Sequence, residues 1–378
     1  MNESKTASRW GSVDFMKGFI ILVIVGGHLL VSSTGDSDAR EMPIVIQIFY
    51  LGLMAFYIIS GYFYRPGVGF KTNMKKRVMQ LVVALVICAF VLPILLFIWL
   101  SICGQTPEIS DLFYAIGNSL YLTDLFTLEH PSPYYATCGA SVGYYYLWTM
   151  LWGFVVFYGL ADHVMEDKKK FALTIVALMA ATMIVALNPI RLPFHMQFAP
   201  ITALFMFIGA YMARLKLIEY IESLQWRSGK YWAIMLGCLI AGVVLCLFFH
   251  PGIQFDWYIF GDYGSWSIPI YVVESTLMFI AFLYMCKFLS LIPGLSIILR
   301  ICGHHTLGIL LLHGFIATVI IAPFFTITNT SWFPTDMSTM QRAIVFVITF
   351  VVCVLICRYG PAVVKKIRGS ISKKPQEA

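Results

Sequence analysis

The stretch SVDFMKGFIILVIVGGHLL, residues 12–30, is apolar enough to cross a bilayer, yet it holds Asp14, Lys17 and His28. An ionisable group in hydrocarbon is costly, so each needs a reason to be there. Lys17 and His28 are eleven positions apart. At about 100° per residue that is ~20° past three full turns, so both lie on one helix face, roughly 16 Å apart along the axis. Asp14 precedes Lys17 by three residues and shares the face. An interfacial ion pair with a snorkelling lysine accounts for Asp14 and Lys17. For His28 the choice is between a hydrogen bond to a neighbouring helix and proton-transfer chemistry.

The rest of the chain decides which side each end faces. Of 378 residues, 60% are hydrophobic and 12% charged, and the mean hydropathy is +0.82. A soluble domain carries about a quarter charged residues, so the fold class is an all-α, polytopic membrane bundle. Apolar segments fall near 14–33, 44–64, 78–101, 143–161, 171–187, 199–215, 231–249, 268–288, 305–327 and 342–359, followed by a basic tail at 360–378. The first lacks a small-residue cleavage site and is read as a retained span. Placing the basic loop 65–77 in the cytoplasm puts 23 of the 26 Lys and Arg residues on that side, as the positive-inside rule requires. Ten spans in one domain, with both termini cytoplasmic, are therefore expected. The net charge of +7 then orients the protein and meets anionic lipid, with no need for nucleic acid.

Other residues join His28 as candidates. Glu274 lies in the eighth span at a depth matching His28, and could orient the imidazole as the acid of a hydrolytic triad does. His313 lies in the ninth. Lys75, Lys76 and Arg77 open the third span, where they serve either topology or phosphate binding. Tyr144, Trp148, Trp257 and Trp266 border the outer segments, and suit either an aromatic belt or stacking on a sugar ring. No Cys or His cluster has metal-ligand spacing, so no metal is expected. A disulfide between Cys103 and Cys138 is open if their loop meets an oxidising compartment.

Five segments, in order, carry a resemblance: DFMKGFIILVIVGGH at 14–28, MAFYIISGYFY at 54–64, KKRVMQLV at 75–82, YYYLWTMLW at 144–152 and GHHTLGILLLH at 303–313. The chain resembles the acyltransferase 3 family of integral membrane O-acyltransferases, nearest to its fucose 4-O-acetylase-like branch. The resemblance implies ten spans in a bacterial inner membrane and functional roles for Lys17 and His28. It also implies a cytoplasmic acyl-CoA donor such as acetyl-CoA, bound only as a substrate, and an acceptor that is a surface polysaccharide or lipid-linked glycan. His28 would be the base or a transient acyl carrier, with Glu274 beside it. Lys17, Lys75, Lys76 and Arg77 would hold the donor, while the four aromatics and His313 would hold the sugar. Two departures stand out: Lys17 sits where arginine is common, and an appended esterase-like domain is not expected. A proton-coupled transporter using His28, Glu274 and His313 is the rival reading, although no inverted repeat accompanies them.

Overall fold

The computed structural model describes residues 11–31, 54–120, 144–187, 192–249, 252–254, 258–260, 267–325 and 337–372. Among these, eight helices are long and apolar enough to cross a membrane. The segments that frame the site are α1 (Gly11–Gly26), α2 (Met54–Tyr62), α3 (Phe70–Arg77), α4 (Val83–Ile102), α5 (Ile109–Ser119), α6 (Tyr144–Val164) and α7 (Lys168–Leu187). They are followed by α8 (Ala199–Arg214), α9 (Leu217–Ser223), α10 (Gly229–Phe249), α11 (Ser267–Leu289), α12 (Pro293–His304), α13 (Thr306–Ile321) and α14 (Thr339–Ser372). A small hairpin pairs Gly252–Gln254 with Tyr258–Phe260. Of the expected second span, residues 54–64 lie within the described residues, with Met54–Tyr62 helical.

Helices in lipid gain no hydrophobic energy from one another, so close backbone approach at small residues drives their packing. Two crossings here use reciprocal glycines. Where α1 meets α12, a Cβ on Gly18 would fall 1.9 Å from the Leu299 carbonyl oxygen, and one on Gly303 would fall 1.9 Å from that of Asp14. Where α2 meets α8, a Cβ on Gly61 would lie 1.8 Å from the Met206 oxygen, and one on Gly209 would lie 1.9 Å from that of Ile58. No side chain fits at any of the four. These crossings fix α1 and α2 against the rest of the bundle.

The α12 helix was not expected, because 289–304 falls between the eighth and ninth expected spans. Its Pro293 at the first turn suits a helix start. It buries Ser296, Leu299, Cys302 and Gly303 while leaving Leu295, Ile297 and Ile298 outward. Such an amphipathic helix suits the membrane interface. It meets α13 at 86°, so the chain turns sharply just before entering the bundle.

Side-chain bonds tie the polar ends together. Ser12 donates to Glu222, Tyr62 to Glu219 and Tyr64 to Asp162. The Lys287 ammonium donates to the carbonyls of Ile221 at 2.7 Å and Glu222 at 2.8 Å, and also to that of Leu224, at the exit of α9. Five of the segments expected on one side of the membrane therefore gather at one end of the bundle. The stretch from Phe70 to Ile102, 33 residues, runs about 50 Å at 1.5 Å per residue. That exceeds a hydrocarbon core of about 30 Å, and leaves α3, with its exposed Lys75 and Lys76, at the polar end. At the opposite end Asp111 accepts from the Glu108 backbone N–H at 2.6 Å, closing the first turn of α5 as a capping box does.

Candidate active site

Lys17, Ile21 and Ile24 of α1 and His28 of the turn that continues it form one stripe, and all four line a single cavity of about 290 Å³. The face reading of the sequence is thus realised as a wall. Opposite stand Phe56, Ile59, Ser60 and Phe63 from α2 and its end, with Tyr146, Leu147 and Met150 from α6. Arg77 and Leu81 close the polar end, and Thr306, Leu307 and Leu310 belong to α13. Because α13 begins on this wall, the positive end of its dipole faces the same space.

The backbone departs from α geometry at two places on the wall. Gly27–Val31, which holds His28, and Val78–Val82, which follows Arg77, both form π-helical turns. Such turns are frequent at functional sites because the wider turn redirects one side chain without ending the helix.

His28 meets His313, with Nδ1 of the first 3.0 Å from Nε2 of the second. The two rings are within 12° of parallel, with centroids 5.2 Å apart. That separation is the nitrogen–nitrogen distance plus about one ring radius at each end, so the rings meet edge to edge, in plane. His313 is fully buried, and its own Nδ1 lies 2.8 Å from the Leu310 carbonyl oxygen and 3.2 Å from that of Ile309. It stands behind His28 and is not part of the cavity lining, a place unlike the sugar contact suggested by the sequence.

Glu274 is placed differently from the expectation. Although α1 packs against α11, the Glu274 carboxyl faces α10, where Cys246 approaches it. It is fully buried and does not line the cavity. Helix rotation turns it away from His28. His28 therefore has an imidazole, not a carboxylate, at its Nδ1.

The two cations of the wall are held by aromatic rings. Lys17 Nζ lies 5.8 Å from the centroid of Phe63. Arg77 places its guanidinium carbon 4.5 Å from the Phe154 ring centroid, and donates from Nε to the Tyr158 hydroxyl at 3.1 Å and from Nη1 to Gln80 at 3.4 Å. A guanidinium has five N–H donors, so the remaining ones can serve an anion in the cavity. Lys75 and Lys76 do not line it. The basic triplet is thus divided, with one residue turned inward and two exposed. At the α1–α12 crossing Asp14 meets His304 at 3.9 Å.

Among the expected aromatics, Tyr144 is buried with its hydroxyl 3.3 Å from the Leu311 carbonyl oxygen, and Trp148 packs on Phe194 at 4.6 Å. Neither lines the cavity. Trp257, Trp266 and Cys138 lie outside the described residues. Tyr146, a neighbour of the expected Tyr144 in the same aromatic run, is the aromatic of α6 on the wall. It stacks on Tyr57 at 4.8 Å, and Tyr57 is in turn bonded through its hydroxyl to Thr149 at 2.6 Å. Among the described residues, no three or more His, Cys, Asp or Glu side chains gather as a metal ion would need.

A family model described as an acyltransferase domain matches residues 10–358. No curated protein and no solved structure matches the chain. The match takes in every residue of the cavity wall and all the helices up to the first part of α14, and the chain belongs to the acyltransferase 3 family of membrane acyltransferases.

Proposed function

We propose that the protein transfers a short acyl group, most simply acetyl, from acyl-CoA to a hydroxyl of a saccharide, and that His28 is the base. The observation that carries this reading is the shared cavity, with Lys17 and Arg77 near its polar end and His28 deeper along the same face of α1. Coenzyme A has the same order of chemistry: phosphates, a slender pantetheine arm, then the thioester. Arg77 and Lys17 suit the anionic end through charge-assisted hydrogen bonds. Ile21, Ile24 and Leu310 line the apolar stretch between. Lys17 and His28 stand roughly 16 Å apart along the axis, too far for the lysine to touch the carbonyl that His28 serves.

In the reaction, the sugar oxygen attacks the thioester carbon as His28 Nε2 takes its proton. The carbon–oxygen bond forms, the carbon–sulfur bond breaks, and the proton passes to the departing thiolate. Neutral histidine suits this task near pH 7. The acceptor would be a surface polysaccharide or its lipid-linked precursor in a bacterial inner membrane, with the basic end of the bundle in the cytoplasm.

Proteoliposomes holding the full chain test the reading. With labelled acetyl-CoA and a lipid-linked glycan, release of free thiol should match label gained by the glycan. A proton-coupled transporter would consume no acetyl-CoA, and that result would overturn the proposal.

A further inference from the structure

We infer that His313 is a positioning residue that sets the tautomer of His28, so that the lone pair of His28 sits on Nε2. The inference rests on His28 being the base, and follows from the order of partners along one line of bonds. Carbonyl oxygens only accept, so His313 Nδ1, at 2.8 Å from the Leu310 oxygen and 3.2 Å from the Ile309 oxygen, must carry a hydrogen. His313 is fully buried and has no acidic partner among the described residues. A cation there would be costly, so the ring is neutral and its Nε2 holds a lone pair. Nδ1 of His28, 3.0 Å away in the same plane, must then be the donor. The remaining nitrogen of a neutral His28, Nε2, is left basic.

A free imidazole spreads its hydrogen over both nitrogens, and only one of the two forms can take a proton at Nε2. The buried carbonyls of α13 thus reach His28 through His313, doing by neutral hydrogen bonds what a carboxylate does in a hydrolytic triad. In-plane contact also holds the ring at one angle, as partners of catalytic and metal-bound histidines do.

The test uses the full chain, labelled with ¹⁵N at histidine, in nanodiscs. Signals of His28 are assigned by their loss in His28→Ala. The expected result is a protonated Nδ1 and a bare Nε2 in the native protein, and a mixture of tautomers in His313→Leu. Turnover of His313→Leu should fall about ten- to a hundredfold with the KM for acyl-CoA unchanged. His313→Gln should recover much of it, because its amide oxygen can accept from Nδ1 and its NH₂ can donate to Leu310. A native His28 with the hydrogen on Nε2 overturns the inference, as does native turnover in His313→Leu. If His313→Leu fails to fold, the native spectrum decides alone. If His28→Ala keeps full transfer activity, His28 is not the base, while the nitrogen signals still decide the tautomer.

Discussion

His28 on α1 and Glu274 on α11 are both ionisable side chains within apolar helices, and the helices that carry them pack against each other. One stands on a cavity wall, in a π turn, with an in-plane imidazole at its Nδ1. The other is sealed against α10, beside Cys246, with no nitrogen or oxygen hydrogen-bond partner on its carboxyl among the described residues. Both break the same rule about charge in hydrocarbon, yet only one has space before it for a substrate. An ionisable residue in a span therefore raises a question that only the rotation of its helix answers. The contrast can be broken at three points.

The largest effect belongs to His28. Removing a general base typically costs about a hundredfold to ten-thousandfold in rate, so His28→Ala should lose transfer by that order while its melting curve stays native. His28→Gln keeps a hydrogen bond to His313 but cannot take a proton, and should be nearly as inactive. An active glutamine variant would reduce His28 to a link between helices and place it in the same class as Glu274.

An intermediate effect separates the basic residues at the polar end. A hydrogen bond to a charged group contributes about 1.5–3 kcal/mol, so Arg77→Gln should raise the KM for acyl-CoA by about tenfold or more, with a smaller change in turnover. Lys75→Gln and Lys76→Gln, both outside the cavity lining, should leave that KM near native. Equal effects from all three would mean that the phosphates bind on the exposed face of α3 and not in the cavity. Titrating acyl-CoA against each variant in proteoliposomes reads the difference directly.

The stripe on α1 was legible because it depends on periodicity alone: Lys17 and His28 had to share a face, and both line the cavity. The all-α membrane bundle was legible from its apolar run lengths. What sequence withheld was rotation between helices. Glu274 and His313 both sat at plausible depths, and nothing in their local sequence says that α11 turns its carboxylate toward α10 while α13 turns its imidazole toward α1. The reciprocal glycines at α1–α12 and α2–α8 were hidden in the same way, since a glycine in an apolar run looks the same whether or not a carbonyl lies against it. The α12 helix was missed for another reason: its amphipathic pattern is short and lies between two longer apolar runs.

Glu274→Gln should have the smallest effect, and it tests the contrast from the other side. Glutamine has nearly the same shape as glutamate and carries no charge, so it fits the sealed site between α10 and α11 without opening a void. A carboxyl that reaches neither the cavity nor His28 gives the reaction nothing to lose. Acyl transfer should therefore be indistinguishable from native. The melting temperature should hold or rise, because a buried ionisable group without a cation beside it costs stability whenever it charges. If Glu274→Gln instead abolished transfer as His28→Ala does, the carboxyl would have to reach the base through groups between α11 and α1. The imidazole–imidazole contact would then be only part of a longer proton path. A native rate in Glu274→Gln, set beside a dead His28→Gln, would confine the chemistry to the wall of α1 and the imidazole behind it.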